Sequence, residues 1–201
     1  MTDPGGPPSD LVSRLGLADD ARAVILNADD YGMCRAANRA LSALLLAAHL
    51  ESATVMVPCG WAPDALAFAA AHPVDVGVHL VLTSEWTRYR WRPLTGTGTS
   101  LVDAAGYFPR DVRAVEQKAR AEDVAAELAA QLDAALAAGV DVARLEPHMG
   151  AGGGRGPGGS FLPQVFELAA RHGLPFRLPR TTDGMLLLSL RLLSERTSPA
   201  A

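Results

Sequence analysis

The chain has 201 residues, of which 49% are hydrophobic and 20% charged, with a formal net charge of −4. That balance excludes a chain disordered throughout and supplies enough apolar matter for one core. The acidic excess excludes a general nucleic-acid binder, which presents a basic face. Alanine accounts for 36 residues, and Lys118 is the only lysine among 18 basic residues. This bias reads as genomic base composition, so no functional argument is built on single Ala or Arg positions. Cys34 and Cys59 have neither disulfide-framework nor zinc-finger spacing and read as buried or half-buried thiols. No run approaches the roughly 18 apolar residues of a membrane span. Met1 to Asp10 carries no positive charge and does not resemble a signal peptide, so the expected location is the cytoplasm.

Residues 1–20 read as a mobile tail and 21–201 as a single α/β domain. Ala23 to Asn27 is a short apolar run with β-branched residues, the pattern of a buried strand. Met33 to Leu50 has apolar residues at helical spacing. Ala53 to Val57 predicts a second strand, stopped by Pro58. Trp61 to Ala71 predicts a helix with Pro63 in its first turn, and Val74 to Leu82 a third strand. Residues 83–113 lack a clear period but hold Trp86, Tyr89, Trp91, Tyr107 and Phe108. A long irregular insertion of this kind is usually functional or disordered, and clustered Trp and Tyr favour a substrate-facing loop. Val115 to Ala138 predicts one long helix ended by Gly139, and Val140 to Leu145 a fourth strand. Residues 150–159 are a glycine-rich loop. Phe161 to His172 predicts a helix ended by Gly173, and Leu174 to Leu178 a fifth strand. Met185 to Leu193 is an apolar run of undefined type. Strand and helix alternating at this spacing imply an α/β fold with a parallel sheet.

In parallel α/β folds, functional groups gather at the C-terminal ends of strands. The first predicted strand end offers Asn27, Asp29 and Asp30, the third His79, and the fourth Glu146 and His148. One carboxylate and two imidazoles make a complete protein ligand set for a catalytic divalent metal with an open position. A second carboxylate beside the first could take a proton from water activated by that metal. Asp29 and Asp30 could divide these tasks. Each signal has a structural counterpart: a turn or cap for the Asp pair, a core hydrogen bond for His79, simple exposure for His148. His49, His72 and His172 sit near helix ends, where they suit the helix dipole. No Walker lysine follows a glycine-rich loop, no dinucleotide-binding glycine run follows the first strand, and no Ser nucleophile elbow occurs.

At these residues the sequence resembles the YdjC-like carbohydrate deacetylase family, which includes chitooligosaccharide deacetylases. The segments that carry the resemblance are Asn27-Ala28-Asp29-Asp30-Tyr31-Gly32, Gly77-Val78-His79-Leu80-Val81-Leu82-Thr83 and Leu145-Glu146-Pro147-His148-Met149-Gly150. Phe161-Leu162-Pro163 and Gly173-Leu174-Pro175-Phe176-Arg177 extend it. The resemblance implies a (β/α) barrel-like fold and metal-dependent hydrolysis of an N-acetyl group on an amino sugar or chitooligosaccharide. It implies Asp30, His79 and His148 as ligands of one divalent ion, Mg2+ or Zn2+, and Asp29 as general base. Composition adds Trp86, Tyr89 and Trp91, with Glu146, as substrate-binding residues.

The chain departs from the family pattern where Arg144-Leu145-Glu146-Pro147-His148 stands in place of His-x-Asp-x-His. Family members also continue well beyond the point reached here, and about five predicted strands cannot close an eight-stranded barrel. The expectation is therefore an incomplete barrel whose open edge favours a homodimer. Two other readings stand beside the deacetylase: a catalytically silent binding or scaffold protein with the first part of the fold, and a non-haem iron enzyme. The latter ranks below because its close-spaced His-x-Asp/Glu is missing.

Overall fold

The structure, a computed structural model, describes residues 16–18, 21–150 and 160–177. Most of the expected tail, the run from Met185 to Leu193 and most of the glycine-rich loop lie outside the described residues. The chain divides into two compact units, Leu26–Arg177 and Met1–Ile25 with Leu178–Ala201. All elements below belong to the first.

These elements are strand β1 (Asn27–Tyr31), helix α1 (Arg35–Leu46), β2 (Ser52–Val55), α2 (Ala62–Ala71), β3 (Asp75–Leu80), α3 (Val112–Lys118), α4 (Ala121–Ala137), β4 (Val142–Pro147), a 3-10 turn (His148–Gly150) and α5 (Leu162–His172). The four strands form one parallel sheet in the order β1-β2-β3-β4. Each strand lies beside its predecessor, which is the progression of a β/α barrel wall and not the reversing order of a doubly wound sheet. The expected fifth strand is reduced to one parallel bridge, Leu145 to Phe176.

Strand register explains where the core and the site lie. Successive side chains of a strand point to opposite faces. Ala53, Val55, Val76, Val78, Leu80 and Leu145 share one face through the pairs Ala53–Val76, Val55–Val78 and Val78–Leu145. All six are buried, as are Leu45, Leu66, Leu128, Leu132, Val165 and Leu168 of the helices. The opposite face carries Asn27, Ser52, Asp75, Arg144, Thr54, Gly77, His79 and Glu146, aligned through Asn27–Ser52, Ser52–Asp75, Thr54–Gly77 and His79–Glu146. The sheet is thus apolar toward its helices and polar on its other side.

Gly77 is required by close packing: a Cβ there would lie 2.7 Å from the Arg144 carbonyl oxygen. Gly32, at φ +88°, closes the turn after β1, where a Cβ would stand 3.0 Å from Ala62 Cα.

Most boundaries shift by one or two residues from those read in the sequence, and three differ by more. β1 begins at Asn27, and the apolar Val24, Ile25 and Leu26 are exposed. The partner strand begins only at Ser52, so nothing in β2 pairs the earlier run. The predicted long helix is two helices, broken at Ala119 and Arg120, both extended. The break serves a distant contact: Arg120 N–H donates to Ser100 Oγ at 2.8 Å, and Asp123 accepts from the Ser100 N–H and hydroxyl. The first helix ends at Leu46, and Leu50 lies beyond it.

The aromatic-rich insertion is ordered by buried side chains and anchored backbone, without strands. Leu101 and Phe108 are fully buried. Glu127 of α4, itself buried, accepts from the N–H groups of Leu94 and Thr95 and from the Thr95 hydroxyl. Arg90 pairs with Asp103 at 2.6 Å and donates to the Phe108 carbonyl.

Candidate metal centre

The site begins with an irregularity in β1. Ala28 pairs with Ala53 and Tyr31 with Val55, so β1 holds one residue more than β2 between these pairs. Asp30 takes a left-handed conformation, φ 62°. Adjacent residues of a regular strand face opposite ways. The bulge lets Asp29 and Asp30 both serve the polar face. Asp tolerates this backbone conformation better than most residues, because its short polar side chain bonds locally.

Asp30 Oδ1 lies 3.4 Å from His79 Nε2 and 3.4 Å from His148 Nδ1. His79 comes from β3 and His148 from the turn after β4. The two imidazoles meet edge to face with centroids 5.0 Å apart. The three ligand atoms all lie within 4.8 Å of one another. Both histidines are buried, whereas Asp30 is half-buried. Asp30 Oδ1 has no hydrogen-bond partner despite its burial.

A metal ion fits this arrangement. Ligand atoms about 2.1 Å from a tetrahedral ion stand about 3.4 Å apart, the separation found between Asp30 Oδ1 and each imidazole. A buried carboxylate oxygen aimed between two imidazole nitrogens, yet hydrogen-bonded to neither, is what a cation would satisfy.

Electrostatics sort the ligands. The imidazoles of His148 and His79 hold the Asp30 carboxyl well below the usual carboxylate range. Burial pushes His79 down, toward the neutral form a metal ligand needs. Burial also works against a charged His148, but the carboxylates of Asp30 and Glu85 on either side outweigh it and push its pKa up to about 9.

Asp29 sits beside the cluster, exposed. Its Oδ1 accepts from Asn27 Nδ2 at 2.6 Å and Thr54 Oγ1 at 3.5 Å, and its Oδ2 lies 3.6 Å from Arg177 Nη2. Below it the polar face closes on itself. Arg144 donates to Asn27 Oδ1 and to Ser52 Oγ and pairs with Asp75, while Arg177 pairs with Glu146.

The residues expected to face a substrate divide in two. Trp86 is 50% exposed and meets Tyr89 edge to face at 6.5 Å. Tyr89, half-buried, is anchored by its hydroxyl, which accepts the Gly60 N–H at 3.0 Å. Trp91 and Glu146 are instead buried, 3% and 1% exposed. The Trp91 indole N–H donates to the Thr83 carbonyl, and its ring centroid lies 6.4 Å from that of His148 at 70° between planes. Glu146 is occupied by Arg177 and, at 3.4 Å, by Asn27 Nδ2. Neither presents a free face to a solute.

Sequence reasoning missed Glu85 and Arg177. Glu85 places both carboxylate oxygens 3.2 Å from His148 Nε2. Its available signal was position: a carboxylate in the segment that leaves β3 just after His79. Arg177 ends the resembling segment Gly173–Arg177, but arginine is too common in this chain for residue type alone to mark it.

A parallel α/β wall thus brings Asp30, His79 and His148 together at its strand ends, a ligand set able to hold a metal ion. The chain belongs to the YdjC-like family, whose model matches residues 23–199. It is 47% identical over 180 residues to a carbohydrate deacetylase of Thermus thermophilus, covering 88% of this chain and 60% of that one. It is 34% identical to a carbohydrate deacetylase of Geobacillus stearothermophilus, with 80% and 61% of the two chains covered. A chitooligosaccharide deacetylase of Yersinia enterocolitica is 30% identical over 85% of this chain and 66% of its own. Among solved structures, one from Enterococcus faecalis, described as a candidate cellobiose-phosphate cleavage protein, superposes with a TM-score of 0.65 at 27% identity over 79% of this chain and 60% of that one. The chain thus spans about 60% of the length of the first of these relatives. No helix among the described residues is long and apolar enough to cross a membrane.

Proposed function

We propose that this chain is a metal-dependent carbohydrate N-deacetylase, releasing acetate from an N-acetylated amino sugar or chitooligosaccharide. The observation that carries this reading is the convergence of Asp30, His79 and His148 at three strand ends with exposed Asp29 alongside. The names of its relatives agree with it.

In this reading Asp30, His79 and His148 hold one divalent ion, Mg2+ or Zn2+. The chemistry such an ion supplies is Lewis-acid polarisation of the amide carbonyl and acidification of water. Asp29 takes the proton of the attacking water. Arg177 and Asn27 hold the Asp29 carboxylate in place. The carbonyl carbon gains the water oxygen, the C–N bond breaks as its nitrogen takes the proton held by Asp29, and acetate and a free amine leave. Trp86 and Tyr89 offer ring faces to the sugar. The cytoplasm is the proposed compartment, in keeping with free Cys34 and Cys59.

The test is acetate release from a panel of N-acetylated sugars by metal-stripped protein resupplied with Mg2+ or Zn2+. Release that depends on added metal supports the reading. No release from any sugar with either metal, by protein shown to be folded, overturns it.

A further inference from the structure

We propose that Glu85 is the positioning residue of the metal centre: it accepts the Nε2–H of His148 and so turns Nδ1 of that imidazole toward the site at Asp30. The inference rests on reading Asp30, His79 and His148 as ligands.

His148 needs such a partner. It opens a 3-10 turn whose next residue, Met149, has a left-handed backbone at φ 54°, and Gly150 follows at φ 69°. Among the described residues, β4 ends at Pro147 and only the three-residue turn holds His148 from its own stretch of chain. Two contacts hold its ring. The Trp91 ring meets the imidazole at 70° and 6.4 Å, and the Glu85 carboxylate covers Nε2 with both oxygens at 3.2 Å. With Nε2 committed to Glu85, Nδ1 is the nitrogen that faces Asp30 Oδ1, at 3.4 Å, and the one free to bind a metal once its own proton is displaced. A carboxylate behind a metal-bound imidazole fixes tautomer and ring orientation and raises ligand basicity.

Glu85 is itself held. The preceding Thr83 and Ser84 are fully buried. Ser84 N–H donates to the Pro109 carbonyl at 2.8 Å, its Oγ accepts the Trp91 N–H at 3.1 Å, and the Trp91 indole donates to Thr83 O at 2.7 Å. β3 therefore supplies one ligand, His79, and the segment that leaves it supplies both groups that orient the other. This gives the irregular insertion a task beyond presenting aromatic rings to a sugar: it clamps His148.

The test is Zn2+ binding at constant pH by wild type, Glu85→Ala and Glu85→Gln, with 15N spectra of the histidine side chains in the Zn2+-bound wild type. Glu85→Ala is expected to bind Zn2+ about 10- to 100-fold more weakly. Glu85→Gln, whose amide oxygen accepts the same N–H, is expected to recover most of that loss. The wild-type spectrum is expected to show His148 protonated at Nε2 and metallated at Nδ1. Glu85→Ala binding within twofold of wild type, or His148 metallated at Nε2, overturns the positioning role. Equal losses in both variants, with one oxygen fewer in the Zn2+ shell by X-ray absorption, would make Glu85 a ligand and also overturn it. Wild type that takes up no Zn2+ overturns the ligand assignment beneath the inference, an outcome distinct from wild type that binds and a variant that binds equally.

Discussion

Asp29 and Asp30 are chain neighbours with unlike surroundings, and the proposed division of their tasks follows that difference. Asp30 is aimed between two imidazoles. Asp29 is tied to Asn27, Thr54 and Arg177 and open to solvent. Asp29→Asn is therefore expected to lower kcat for N-acetyl hydrolysis at least about 100-fold while metal content, measured on the purified protein, stays at the wild-type ratio. Loss of the metal in that variant would reverse the two roles. The pH behaviour follows from His148. Its pKa, about 9 in the metal-free fold against an ordinary 6.5, is raised. A raised group stabilises the fold fully below the ordinary value, and that contribution disappears as pH climbs through the folded value. The Tm of metal-free protein should accordingly fall between about pH 7 and 9. A metal must displace the same proton, so Zn2+ affinity should rise across that interval. Thermal melts and calorimetric titrations over a pH series check both; a flat Tm profile in metal-free protein would contradict the first.

Among the elements, β3 and β4 depend on an absent side chain. Gly77 lets the Arg144 backbone approach to a distance no Cβ tolerates. Gly77→Ala should cost about 1–3 kcal/mol by overpacking, read from the urea midpoint. Because β4 leads directly into His148, the same variant should bind metal more weakly. A midpoint equal to wild type would show that β4 shifts freely. The break between α3 and α4 teaches a related lesson. Ala119 to Ala138 is good helix-forming sequence, and nothing local in it requires an interruption. The interruption is imposed by Ser100, some twenty residues earlier, through Arg120 and Asp123. Propensity is a local quantity, so a contact at that separation is invisible to it.

For the whole molecule, β1 is an edge among the described residues: it pairs with β2 alone, and the exposed Leu26 stands at its start. Unpaired edges recruit another strand. A homodimer is the expected state, measured by light scattering on a size-exclusion peak; a monodisperse monomer would refute it. The two ends of the sheet also differ in how well the sequence foretold them. The turn-ending glycines Gly139 and Gly173 were legible because they have positive φ, 84° and 72°, at the exits of α4 and α5. The start of β1 was misplaced because hydrophobicity marked Val24 to Leu26, whereas the strand that forms is polar Asn27–Tyr31. A strand lining a polar face need not be apolar, and only its partner reveals it.

By itself, then, the sequence determined the alternation of strands and helices and the identity of the strand-end groups Asp29, Asp30, His79 and His148. Both are encoded locally, in spacing and in residue type. Tertiary structure decided the bulge that turns both aspartates to one side, the burial that takes Trp91 and Glu146 out of solvent, and the choice of Glu85 and Arg177 as partners for His148 and Asp29. Those outcomes depend on which residues lie opposite one another across the sheet and its loops, and pairing across space is set by register and packing, which no single segment contains.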